Sequence, residues 1–91
     1  MGILKRLFGG GGAEAPRDAV DYNGYRIRPE PFAADGQYQT AGTIEKDFPE
    51  GARQHYFIRA ERHMSADDAA AFAVTKGRQI IDERGDRIFD D

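Results

Sequence analysis

The sequence predicts an α+β fold, a three- to four-stranded antiparallel meander with one long C-terminal helix packed on one face. Three observations predict it. An Asn23-Gly24 pair sits between alternating residues, two later stretches repeat with a period of two, and a serine-led segment repeats small and apolar residues at helical spacing. Consecutive strands joined by short turns pair antiparallel, and a single amphipathic helix needs one sheet face to cover.

Taken in order, Val20 to Arg28 reads as a hairpin, because both central positions of a type I′ turn need φ > 0 and Asn-Gly supplies them. Pro29 and Pro31 cannot donate ladder hydrogen bonds, so the strand ends there or runs at an edge. Asp35-Gly36 marks a second turn. Gln37 to Lys46 alternates, with Tyr38 and Ile44 expected inward. Asp47 to Gly51 is expected to form the connecting loop, and Arg53 to Arg62 alternates again. Ser65 can cap a helix whose first turn carries Asp67 and Asp68. Ala66, Ala69, Ala70, Ala73, Gly77, Ile80 and Ile81 fall on a stripe about 120° wide. Small residues fill its first half and large ones its second, so the helix is expected to approach the sheet closely near Gly77. Gly85 stands where a helix C-cap belongs, and Arg87-Ile88-Phe89 reads as a last short packed segment.

Composition bounds the function. Thirteen Lys and Arg against sixteen Asp and Glu give a net charge of −3, which argues against a generally basic nucleic-acid coat. The absence of cysteine excludes a disulfide scaffold, a zinc ribbon and a thiol nucleophile. No apolar run approaches the roughly 20 residues of a membrane span, and the opening residues lack the apolar stretch of a secretory signal, so a cytoplasmic protein is expected. Residues 1–8 read as a short basic amphipathic segment, 9–19 as a flexible Gly-rich linker, 20–89 as a single α+β domain and 90–91 as an acidic tail.

Few groups converge on chemistry. His55 and His63 lie on one strand about 26 Å apart at 3.3 Å per residue, too far to share a metal. Ser65 is explained by capping, Asp67-Asp68 by the helix dipole, and Gly9 to Gly12 lacks the Lys-Ser/Thr of a phosphate loop. No catalytic residue, metal ligand or cofactor is therefore predicted, and an enzyme is not the expectation. With Tyr25, Ile27, Tyr38, Ile44, Tyr56 and Ile58 facing the helix, the other sheet face is expected to show Arg26, Arg28, Gln39, His55, Phe57 and Arg59. Positive donors beside an exposed aromatic suit phosphate contact with some stacking, or a protein partner. A β-ribbon in a major groove works best from a homodimer. A second candidate is the docking peptide Ile3, Leu4, Lys5, Arg6, Leu7 and Phe8, whose apolar side chains suit a partner protein or a peripheral membrane contact.

Gly36-Gln-Tyr-Gln-Thr-Ala-Gly-Thr-Ile-Glu45, His55-Tyr-Phe-Ile-Arg-Ala-Glu-Arg-His63 and the run from Ser65 to Phe89 resemble the HlyU family of small proteobacterial proteins, as does the opening Leu4-Lys-Arg-Leu-Phe-Gly. The resemblance covers nearly the whole chain and implies a transcriptional regulator. Its partner is then DNA or a transcription-related protein, reached through the exposed sheet face. The alternative is a protein-interaction or membrane-peripheral adaptor that docks through residues 3–8.

Overall fold

Residues 17–90 are described by the structure, a computed structural model. Asn23 and Gly24 sit at φ 50° and 87°, the two positive angles of the expected tight turn, and they join β1 (Val20–Tyr22) to β2 (Tyr25–Pro29). After Pro29-Glu30-Pro31 the chain resumes as β3 (Phe32–Ala34), and the Asp35-Gly36 turn leads into β4 (Gln37–Phe48). Strands β2 and β3 run in line along one edge of β4, and β5 (Gly51–His63) pairs with the other. The five strands thus occupy four ranks of one antiparallel sheet. The two prolines, lacking N–H groups, explain why one rank is split. Between them, the Glu30 N–H donates to the Ala41 carbonyl at 2.8 Å and keeps the halves aligned.

The connection from β4 to β5 is tighter than the sequence suggested. Phe48 pairs directly with Gly51, so only Pro49 and Glu50 turn, where residues 47–51 were expected to form the loop. That turn fixes the register of the whole ladder: His55 stands opposite Ile44, Phe57 opposite Gly42, and Tyr56 opposite Thr43. A shift of one residue reverses every side chain of a strand. The outcome corrects the expected faces of β5. Phe57 is 3% exposed and packs in the core with Tyr25, Ile27 and Ile44, whereas Tyr56 (54% exposed) and Ile58 (49% exposed) lie on the opposite side. Gly42 makes room for the ring, since a Cβ there would stand 2.9 Å from Phe57 Cζ.

Further along, Arg59, Ala60 and Glu61 bulge opposite Thr40 alone. Side chains of β4 catch the displaced carbonyls. Gln39 Nε2 donates to the Arg59 carbonyl, and Thr40 Oγ1 to that of Glu61 at 3.0 Å. This accounts for two polar residues, Gln39 and Thr40, being buried in the middle of a strand.

Helix α1 (Ala66–Arg84) begins at Ser65, whose Oγ accepts from the Asp68 N–H at 3.0 Å. Its buried residues are Ala69, Ala70, Ala73, Gly77, Ile80 and Ile81, which follow the predicted stripe. The close approach falls at Gly77, where a Cβ would stand 2.7 Å from Ile27 Cγ2. At the wide end, Ile80 and Ile81 join Ile88 and Phe89 from the terminal 3-10 turn (Gly85–Phe89). Phe89 stacks on Tyr25 at 6.3 Å and meets Phe48 edge-on at 5.7 Å. One face of the sheet is covered in this way. The described residues leave the other open.

Candidate functional site

The open face is organised around Glu45. Its Oε1 accepts from Arg26 Nε at 3.3 Å and from Arg28 Nη1 at 3.5 Å, and its Oε2 accepts from Gln54 Nε2 at 3.0 Å. Arg26 also forms a two-point pair with Asp47, at 3.0 and 3.1 Å. These contacts follow from register, because Arg26 stands opposite Glu45, and Glu45 opposite Gln54. The Glu45 side chain is only 15% exposed. Its carboxyl is held below the usual range by the Gln54 hydrogen bond and then by Arg26, against an opposing effect of burial. Asp47 is likewise lowered by Arg26, and the Arg26 guanidinium is raised by Asp47. Beside this group, Glu30 accepts from Thr43 Oγ1 at 2.7 Å. Partial burial, and then the Glu30 charge, holds the Tyr56 phenol above its ordinary value.

Two guanidiniums therefore face three carboxylates, and this part of the surface is not basic. Next to it stand Tyr56 and Ile58, the large half-exposed residues of β5. The open face combines a self-neutralised polar half with an apolar half.

The sequence-predicted residues do not form one surface. Arg26 and Arg28 share the open face as expected, and both are tied to Glu45. Gln39 is buried, bonded to the bulge and accepting from Arg62 Nε at 2.8 Å. His55 is half-buried on the same face as Ile44, turned away from the arginines. Phe57 is a core residue, so it offers no stacking platform. The Arg59 guanidinium lies 5.8 Å from the Phe57 ring centre, also away from Arg26. Residues 3–8, the predicted docking peptide, lie outside the described residues. Sequence reasoning assigned Tyr56 and Ile58 to the helix side. The signal that places them outward is the two-residue turn: with Ile44 inward, the residues sharing its face must be His55 and Phe57.

Away from the open face, Tyr25 donates its phenol to Asp86, and Lys46 Nζ reaches the same carboxylate at 2.9 Å. Burial and this hydrogen bond push the Tyr25 phenol up to about 12. The group ties β2 and β4 to the 3-10 turn, and its partners are all mutually satisfied. Among the described residues, no cluster of three or more His, Asp or Glu side chains is arranged to hold a metal ion. No described helix is long and apolar enough to cross a membrane.

Fold and surface together define a small α+β domain with its helix on one side of the sheet and an open, partly apolar face on the other. The chain belongs to the HlyU family: the family model described as "Transcriptional activator HlyU" matches residues 2–89. No curated protein and no solved structure matches it.

Proposed function

We propose that this chain is a non-enzymatic regulator of transcription that acts by binding a regulatory protein through the open face of its sheet, with Tyr56 and Ile58 at the centre of the contact. The family name supplies the process. The observation that carries the mode of action is the pairing of Arg26 and Arg28 with Glu45 and Asp47 beside two half-exposed apolar side chains. To contact phosphate, Arg26 must leave both carboxylates, and the poorly exposed Glu45 would then keep only Arg28 and Gln54 while a second anion stands beside it. Protein interfaces ask for the opposite arrangement: an apolar centre with tyrosine, rimmed by polar groups already satisfied.

The test has two arms. A strain lacking the gene is complemented with wild type or Ile58→Asp, and transcripts are profiled. Ile58→Asp is expected to fail while remaining folded by circular dichroism. In parallel, duplex DNA at low salt is expected to show no retardation by the purified chain. A duplex shift abolished by Arg26→Ala and Arg28→Ala, or full complementation by Ile58→Asp, would overturn the proposal.

A further inference from the structure

The large apolar side chains exposed among the described residues are Tyr56, Ile58 and Met64. Tyr56 and Ile58 stand two apart on the open side of β5, and the half-buried Phe32, opposite Gln39, shares that face across β4. Glu30 borders them: it accepts from Thr43, which pairs with Tyr56, and it forms no ion pair among the described residues. The face thus sets apolar surface beside the one carboxylate that Arg26 and Arg28 leave in excess.

The same chain carries the complement. Residues 3–8 place Ile3, Leu4, Leu7 and Phe8 about Lys5 and Arg6, and contain two of the thirteen basic residues and none of the sixteen acidic ones. The family match, residues 2–89, takes in this segment together with the domain. The described residues begin at Arg17, paired with Asp67 at 3.0 Å beside the start of α1. Residues 9–16 lie between and can span about 26 Å when extended. From β1 to β5 the sheet measures three rank spacings, about 14 Å, so this tether is long enough to round the β1 edge and reach Tyr56 and Ile58. A tether so short also keeps the segment at roughly millimolar local concentration, where even a weak contact is populated.

We propose that residues 3–8 of the same chain cover the apolar half of the open face, with their apolar side chains against Tyr56 and Ile58 and their two cations toward Glu30. A regulatory protein then reaches this face only by displacing the segment. That consequence rests on the function proposed above; the contact itself does not.

The chain has no tryptophan, so Phe8→Trp in the full-length protein gives a single reporter. Its emission is expected at shorter wavelength than that of a solvated indole, with several-fold weaker acrylamide quenching, at every protein concentration. Adding Ile58→Asp, or the milder Tyr56→Ala, is expected to return both readings to those of a solvated indole while circular dichroism stays native. Glu30→Lys is expected to shift them the same way at low salt and less at high salt. In the complemented strain, Leu7→Asp is expected to raise the regulated transcripts above the wild-type response. A solvated indole in Phe8→Trp, a blue shift that ignores both Ile58→Asp and Tyr56→Ala, or one that grows with concentration (as docking on a second copy would) would each overturn the contact. Transcripts at or below wild type with Leu7→Asp would overturn the displacement. The fluorescence involves no transcription, so failure of the contact is told apart from failure of the proposed function.

Discussion

Replacing Phe57 and Ile58 one at a time by alanine tests the assignment of faces on β5. Phe57 is 3% exposed and sits over Gly42, so Phe57→Ala removes a ring from a packed core and leaves a cavity. Such truncations cost about 3–5 kcal/mol. Ile58 keeps 49% of its surface in solvent, and half of a full isoleucine burial amounts to about 1 kcal/mol. A domain of this size has only about 4–11 kcal/mol of total stability, so Phe57→Ala is expected to lose about a quarter or more of it. Phe57→Leu provides a milder variant, expected to remain folded and still to cost more than Ile58→Ala. Urea unfolding followed by circular dichroism, at concentrations where the chain is monomeric, reads all three. Ile58→Ala destabilising the domain as much as Phe57→Ala would refute the register and with it the open face described above.

Gly77→Ala is expected to destabilise by about 1 kcal/mol in the same assay. The helix gains about 1 kcal/mol in propensity, but overpacking a Cβ 2.7 Å from the fully buried Ile27 costs about 1–3, and a stabilised variant would contradict the close approach. Ser65→Ala is expected to lose about 1 kcal/mol with the cap to Asp68, and a neutral result would count against that hydrogen bond. The Tyr25 phenol, normally near 10 and pushed to about 12, favours its neutral form in the folded chain. Its contribution to stability is therefore complete below pH 10 and is lost as pH rises toward 12, with a late phenolate absorbance step that Asp86→Asn should move earlier. Asp86, lowered by Tyr25 and then Lys46, works the other way. Its contribution is present above the ordinary carboxylate range and is lost as pH falls through the lowered value, so the acid limb of an unfolding-versus-pH curve should flatten in Asp86→Asn.

Local signals carried most of the fold. Asn23-Gly24, Asp35-Gly36 and the Ser65 cap are each read from two to four adjacent residues, and each does in the structure what its backbone chemistry requires. The helix stripe was legible for the same reason, since its period is set by one element alone. The faces of β5 were not, because Tyr56 with Ile58 and Phe57 with its neighbours are both plausible inward sets within the strand itself. The choice belongs to the pairing with β4, and it turns on Gly42, a residue with no side chain, clearing space for Phe57. The split of one rank into β2 and β3 was half legible: the prolines announced an interruption, but the resumption at Phe32 depends on three residues finding Gln37, Tyr38 and Gln39 across the sheet.

The same register explains why the arginines mislead when read alone. Arg26 and Arg28 alternate with apolar residues in the way a phosphate-binding strand would. Their partners, Glu45 and Asp47, arrive from seventeen or more residues away, through the ladder that sets Arg26 against Glu45. Once paired, the charges cancel locally and satisfy groups that are partly withdrawn from water, which under the proposed function leaves apolar contact as the source of affinity on that face. Tyr56 and Ile58 supply it because a two-residue turn and a glycine put Phe57 inside. A change that inverted β5 would therefore alter the core and the open face together. For this reason the stability of Phe57 variants and the activity of Ile58 variants need to be read as a pair.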